Sequence, residues 1–129
     1  MSVRILLIAV LILALTSAAC GRSPERDVRR TLDDFVTATA KKDYQRLCDD
    51  IFSEKLVEEV RKVVPCEVAL QRSDLATAQD PKLTIQSIAV KGDTATAVVN
   101  TTAKNQKPSK DTVRLVKEGE DWRIQSLAS

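Results

Sequence analysis

Three pairs of adjacent acidic residues are the side chains of this sequence that could bind a hard cation or perform acid–base chemistry. Carboxylates do either kind of work when two or more of them converge on one point. Neighbouring residues on a helix point about 100° apart, so the two members of a pair diverge. We therefore expect solvated helix faces and no metal site at these pairs, which are Asp33-Asp34, Asp49-Asp50 and Glu58-Glu59.

Histidine is absent from all 129 residues. Its absence excludes Ser-His-Asp and Cys-His nucleophile pairs, histidine-ligated metals and the commonest general base. The three glycines are scattered along the chain, so no glycine loop could hold a phosphate group. The sequence therefore predicts a protein that is not an enzyme and that has no cofactor.

The first 21 residues differ in composition from the rest of the chain. Arg4 is followed by an apolar run at residues 5–15, then by small residues at 16–19 and by Cys20. A basic start, a short apolar run and small residues at the cleavage site are typical of a secretory signal peptide. The alternative is an uncleaved membrane helix, for which the uncharged residues 5–21 are barely long enough.

Residues 17–20, Ser-Ala-Ala-Cys, resemble the lipobox of bacterial lipoproteins. The resemblance implies cleavage of a signal peptide at 1–19, acylation of Cys20 with fatty acids such as palmitate, and a lipidated spacer at 20–23. The protein would then be anchored to the cell membrane on its extracytoplasmic face. An ordinary signal peptidase could cut at the same bond, which would leave Cys20 without a lipid.

Cys48 and Cys66 remain as a pair once Cys20 is assigned to the lipid. Export implies an oxidising compartment, in which two such cysteines of a small domain usually form a bridge. We predict a Cys48–Cys66 disulfide, with two buried free thiols as the alternative.

Cleavage would remove Arg4 from the 20 basic residues and leave 19 against 18 acidic ones. This balance and the scarcity of aromatic residues argue against nucleic acid as a partner. The remaining length is enough for one domain with a modest core.

The first half of this domain has helical periodicity. Ser23-Pro24 suits the start of a helix whose apolar face repeats from Val28 to Thr39. Asp43, Ser53 and Pro65 are predicted to begin three shorter helices, and residues 73–81 a connecting loop. The helix after Ser53 would carry an apolar stripe of Leu56, Val57, Val60, Val63 and Val64.

From Lys82 the apolar period changes to that of strands. A change of parity indicates a bulge near Gln86-Ser87, and Gly92-Asp93 marks a turn. Strands are predicted at 94–103 and 112–117, with a polar turn at 105–109 between them, and a last strand at 122–124. Helices followed by short-turn strands predict an α+β fold, with helices on one face of a curved antiparallel sheet of about four strands.

This order resembles the nuclear transport factor 2-like superfamily, also called cystatin-like, and within it small exported lipoproteins of actinobacteria. The resemblance covers roughly residues 25–128, within a domain at 24–129. It is carried by residues 36–40, 43–48, 90–95 and 113–127. Because many unrelated activities occupy this fold, the resemblance identifies an architecture rather than a reaction.

The resemblance implies a cone-shaped interior, in which isomerase-like members use a tyrosine and carboxylates. Phe35, Tyr44 and Trp122 are the candidate pocket-lining residues, although the spacing of Tyr44 and Trp122 also suits core packing. We expect a membrane-tethered, non-enzymatic domain that binds a partner protein or a small apolar ligand. The alternatives are an isomerase-like enzyme acting on a small apolar substrate and a structural component of the envelope.

Overall fold

The computed structural model describes residues 23–128. The predicted signal peptide at 1–19 and the predicted lipid attachment at Cys20 lie outside the described residues. Within residues 23–128, no helix is both long enough and apolar enough to cross a membrane.

Within the described residues, six helical segments are followed by four strands. Helix α1 spans Pro24–Lys41, and α2 spans Tyr44–Arg46 and continues into a π-helical turn at Leu47–Ile51. The remaining helices are α3 (Glu54–Arg61), α4 (Cys66–Gln71) and α5 (Asp74–Thr77). The strands are β1 (Lys82–Lys91), β2 (Thr94–Ala103), β3 (Gln106–Glu118) and β4 (Asp121–Ala128).

The four strands form one antiparallel sheet in the order β1-β2-β3-β4. Gln86 has no partner on β2, which is the bulge predicted at this point. Gly92 and Gly119 occupy the two tight turns with positive φ, a conformation that glycine adopts without steric cost. Helices followed by a four-stranded antiparallel sheet confirm the predicted fold class.

Helix α1 covers the concave face of the sheet and packs against β1 and β4. Val28 and Leu32 are completely buried and belong to the same core cluster as Val99, Val113 and Ile124 of the sheet. The hydroxyl of Thr31 also donates to the Trp122 carbonyl at 3.0 Å, which fixes α1 to β4. The domain therefore has one core, made between this helix face and the inward side chains of the strands.

Side-chain caps begin α2 and α3 as the sequence predicted. The Arg46 N–H donates to the Asp43 carboxylate at 3.1 Å, and the Leu56 N–H to the Ser53 hydroxyl at 3.2 Å. Helix α1 begins at Pro24 as predicted, but the Ser23 side chain makes no cap hydrogen bond. The Ser23 carbonyl instead accepts from the backbone N–H groups of Arg26 and Asp27.

Val63 is 83% exposed, so its predicted place in the apolar stripe of α3 was wrong. Helix α3 ends at Arg61, before Val63, and a turn leads to Pro65 and α4. Within the stripe itself, Val57 is buried, and Leu56 and Val60 pack at the edge of the core.

The segment predicted as a loop at 73–81 contains helix α5, because contacts from distant parts of the chain support it. The Asn105 and Gln106 side-chain amides donate to the carbonyls of Thr77 and Asp74 at 2.7 and 2.8 Å. The Lys42 ammonium donates to the Ala78 carbonyl at 3.0 Å. The α5 turn is thus held by residues that a local pattern cannot connect to it.

The polar turn predicted at 105–109 is also shorter than expected, because β3 begins at Gln106 and includes Pro108. Pro108 has no N–H to donate, and it sits beside an irregularity in the pairing with β2, between Thr101 and Ala103. On its other side β3 has no partner strand before Thr112, which pairs with Ala128 of β4. Proline is tolerated at such an edge position.

Cys48 and Cys66 form a disulfide whose Cα atoms are 6.1 Å apart, which agrees with the predicted pairing. Both residues are buried and belong to the core. The bridge fastens the π-helical turn to the start of α4 across the intervening helix α3.

Replacing both cysteines, Cys48→Ala and Cys66→Ala, should destabilise the domain by about 3 kcal/mol, because the unfolded chain gains the freedom of a closed loop of 18 residues. At about 4–8 °C per kcal/mol, the melting temperature should fall by more than about ten degrees, as measured by circular dichroism. A reductant should lower the wild-type melting temperature similarly and leave the double variant unchanged. Two titratable thiols in denatured, unreduced wild-type protein would contradict the bridge.

Candidate functional site

A cavity of about 230 Å³ opens between the C-terminal half of α1, helix α5 and one end of the sheet. This end of the sheet contains the start of β1, the β2–β3 hairpin and the end of β4. The apolar part of the wall is formed by Phe35, Val36, Leu75, Leu83 and Leu127.

The position of the cavity follows from the alternation of side chains along β2 and β3. Ala97 and Val99 on β2, and Val113 and Leu115 on β3, point inward and are buried. Residues two apart share a face of a strand, so the inward rows continue towards the hairpin. Beyond the part covered by α1, these rows become polar and line the cavity at Thr101, Ser109 and Asp111.

These three side chains form a hydrogen-bonded cluster that we call the polar triad. Thr101 and Ser109 face each other across the strand pair, and their hydroxyl oxygens are 2.7 Å apart. Both hydroxyls also lie within hydrogen-bond distance of Asp111 Oδ2, at 2.8 Å from Thr101 and 2.7 Å from Ser109. The triad places one carboxylate, flanked by two hydroxyls, in a wall that also contains apolar side chains and the two lysines Lys82 and Lys107.

Thr39 supplies a further polar group from the opposite wall, on α1. The residue is only 2% exposed, and its hydroxyl oxygen has no hydrogen-bond partner among residues 23–128. A buried hydroxyl without a partner costs free energy in the folded state.

Of the three predicted pocket residues, the structure places only Phe35 in this cavity. Phe35 packs against Phe52 with ring centroids 6.1 Å apart, and so joins the cavity wall to the core. Tyr44 packs against the core elsewhere. Trp122 is 4% exposed and borders a separate cleft lined mainly by charged side chains.

The acidic pairs are largely exposed, as the sequence predicted. Asp34 is partly buried and pairs with Arg46 at 3.0 Å, Asp49 lies 3.9 Å from Arg61, and Glu59 pairs with Lys62 at 2.7 Å. No group of three or more cysteine or acidic residues in the part of the chain described could hold a metal ion.

The sequence reasoning missed the polar triad and Thr39. A signal was present for Thr101, which has the same strand parity as the buried Val99. Ser109 and Asp111 lay outside the predicted strand at 112–117, so their parity with Val113 follows only from the observed β3. A polar residue in the inward row of a strand is a candidate for a site. For Thr39 the sequence contains no such signal, since threonine is ordinary on the edge of an apolar helix face.

Comparison with known proteins gives a family and a fold. A family model described as "Putative lumazine-binding" matches residues 23–127. No curated protein matches the chain.

Two similar solved structures are both nuclear transport factor 2-like proteins of unknown function. One, from Shewanella baltica OS155, has a TM-score of 0.60 and 17% identity, and the match covers 83% of this chain and 94% of that one. The other, from Silicibacter pomeroyi DSS-3, has a TM-score of 0.54 and 20% identity, covering 80% of this chain and 91% of that one. At these identities the likeness shows the fold alone.

Thr39→Val should leave the domain as stable as the wild type or more stable, by up to about 1 kcal/mol, because it removes a buried hydroxyl that has no partner. Thr31→Val on the same helix is the matched control. It should cost about 1 kcal/mol, because the Trp122 carbonyl loses its donor. Thermal unfolding of both variants would measure the difference, and equal destabilisation would show that Thr39 has a structural partner.

Proposed function

This chain belongs to the family described as "putative lumazine-binding", and we propose that it is a membrane-tethered extracytoplasmic protein whose domain binds a small planar ligand in the cavity beside α1. The observation that carries the proposal is the cavity itself, which combines apolar side chains with polar and charged ones. That combination is typical of small-molecule sites, where apolar surface gives affinity and polar atoms give orientation.

The size of the cavity restricts the ligand. At about 230 Å³ it is smaller than the roughly 300–1,000 Å³ of sites for drug-sized molecules. A molecule of one or two fused rings is a suitable occupant. Lumazine, a bicyclic pteridine-2,4-dione, is therefore a reasonable first probe for this chain.

The exposed surface favours a small molecule over a partner protein. Among residues 23–128, the large exposed hydrophobic side chains are Val63 at 83% and Leu127 at 44%. Leu127 borders the cavity and Val63 lies in the turn after α3, so they do not form one patch. A contiguous apolar patch is the usual mark of a protein interface.

Binding without chemistry is supported by the residues that line the cavity. The sequence contains no histidine, and Asp111 is the one carboxylate in the lining. Tyr44, which an isomerase-like mechanism would require beside a carboxylate, packs outside the cavity. The proposal therefore includes recovery of the bound molecule unchanged.

The tether is supported by the leader and by the disulfide. Residues 17–20 resemble a lipobox, and Cys20 is only four positions before the start of α1 at Pro24. The domain would then sit close to the membrane surface. The Cys48–Cys66 bridge is consistent with export, because disulfides persist mainly in oxidising compartments.

Filling the cavity should weaken binding of lumazine. Ala78 lines the cavity and is 8% exposed, so Ala78→Leu introduces three extra heavy atoms there. We expect the dissociation constant to rise by about tenfold or more, because the added atoms occupy space that the ligand needs; tenfold corresponds to a loss of about 1.4 kcal/mol of binding free energy. The fluorescence of lumazine during titration with the protein would measure it.

Ala89→Leu is the control for this experiment, because Ala89 is exposed on β1 and does not line the cavity. It should leave the dissociation constant unchanged. Undiminished binding by a folded Ala78→Leu variant would place the ligand elsewhere. Mass spectrometry of the recovered ligand would detect any chemical change, and a changed ligand would favour the enzyme alternative.

Cys20→Ala should release the protein from membranes or leave it as the uncleaved precursor. A diacylglycerol on Cys20 provides two chains, which anchor stably where one is marginal. Fractionation of cells followed by mass spectrometry should show an acylated amino-terminal cysteine in the wild type only. A soluble, unmodified wild-type chain beginning at Cys20 would contradict the tether and indicate simple secretion.

A further inference from the structure

The polar triad contains more hydrogen-bond acceptors than donors. Two hydroxyls supply two hydrogens, whereas the cluster has three oxygen–oxygen contacts of 2.7–2.8 Å. Both hydrogen bonds to the Asp111 carboxylate fall on Oδ2, and Oδ1 has no hydrogen-bond partner among the residues described. The triad is therefore complementary to a molecule that brings a donor of its own.

The strand pairing holds the triad in place. Thr101 and Ser109 are opposite each other in the register of β2 and β3, and Asp111 is opposite Val99. Because Val99 is completely buried, the Asp111 backbone is fixed beside the core. An acceptor fixed by regular backbone pairing loses little freedom when a ligand binds, which favours affinity.

The rest of the cavity wall restricts the shape of the ligand. Apolar side chains from α1, β1 and β4 line the cavity together with the triad, among them Phe35, Leu83 and Leu127. Such a lining suits the faces of a flat ring, with a hydrogen-bond donor at the edge that meets the triad.

We propose that the polar triad makes the cavity selective for planar heterocycles that present a ring N–H to Asp111. This inference rests on the proposed function, because it specifies the chemistry of the ligand that the cavity binds. An N–H donor to a carboxylate makes a charge-assisted hydrogen bond, which is stronger than a neutral one and is not available to hydrocarbon rings.

The matched probes are lumazine and 1,3-dimethyllumazine, in which methyl groups replace both N–H hydrogens of the pyrimidine-dione ring. The two ligands would be titrated into the protein purified from cell envelopes in mild detergent. Lumazine should bind at least about tenfold more tightly than the dimethyl analogue, because methylation leaves the triad without its donor.

Asp111→Asn should weaken lumazine binding by about tenfold, since it replaces the charged acceptor by a neutral one. It should have little effect on the dimethyl analogue. Asp93→Asn is the control, because Asp93 is exposed in the β1–β2 turn at the other end of β2. That control variant should bind both ligands as the wild type does.

The outcomes separate this inference from the proposed function. Equal affinity of the wild type for the two ligands would overturn donor recognition by the triad and leave a cavity that binds by shape. Binding of neither ligand would overturn both proposals. Should Asp111→Asn not fold, the comparison of the two ligands on the wild type still decides the question.

Discussion

Helix α1 packs across the concave face of the sheet, and the buried side chains of both elements make the centre of the core. Val28 and Leu32 are completely buried from the helix, as are Val99 and Val113 from the strands. The β2–β3 hairpin extends past the end of this coverage, with Thr101, Ser109 and Asp111 pointing inward. The packing that stabilises the domain therefore also determines where its cavity opens.

The cavity contains groups that contribute little to stability in the absence of a ligand. Thr39 buries a hydroxyl without a partner, and the triad places a carboxylate where its neighbours Val99 and Val113 are apolar. Local departures from apolar packing and complete hydrogen bonding are expected at functional sites. Outside the cavity, two links stabilise the domain. The Cys48–Cys66 bridge joins two helical segments, and the Thr31–Trp122 hydrogen bond joins α1 to the sheet.

The fold could be predicted largely from local signals, whereas of the site only Phe35 was predicted. The bulge at Gln86, the caps at Asp43 and Ser53 and the limits of β2 each have a signature within a few residues. Helix α5 was missed because its hydrogen bonds come from Lys42, Asn105 and Gln106. The triad was missed because hydroxyl residues are common on strands, and only the register of β2 against β3 shows that they meet.

A crystal structure of the protein grown with lumazine tests the central claim most directly, since the claim concerns which atoms meet in the cavity. The account predicts density for a flat ring between α1 and the β2–β3 hairpin, beside Phe35 and Leu127. A ring nitrogen should lie within hydrogen-bond distance, about 2.7–3.2 Å, of Asp111 Oδ1. An empty cavity with lumazine bound elsewhere, or a ring in the cavity with Asp111 left without a ligand donor, would contradict it.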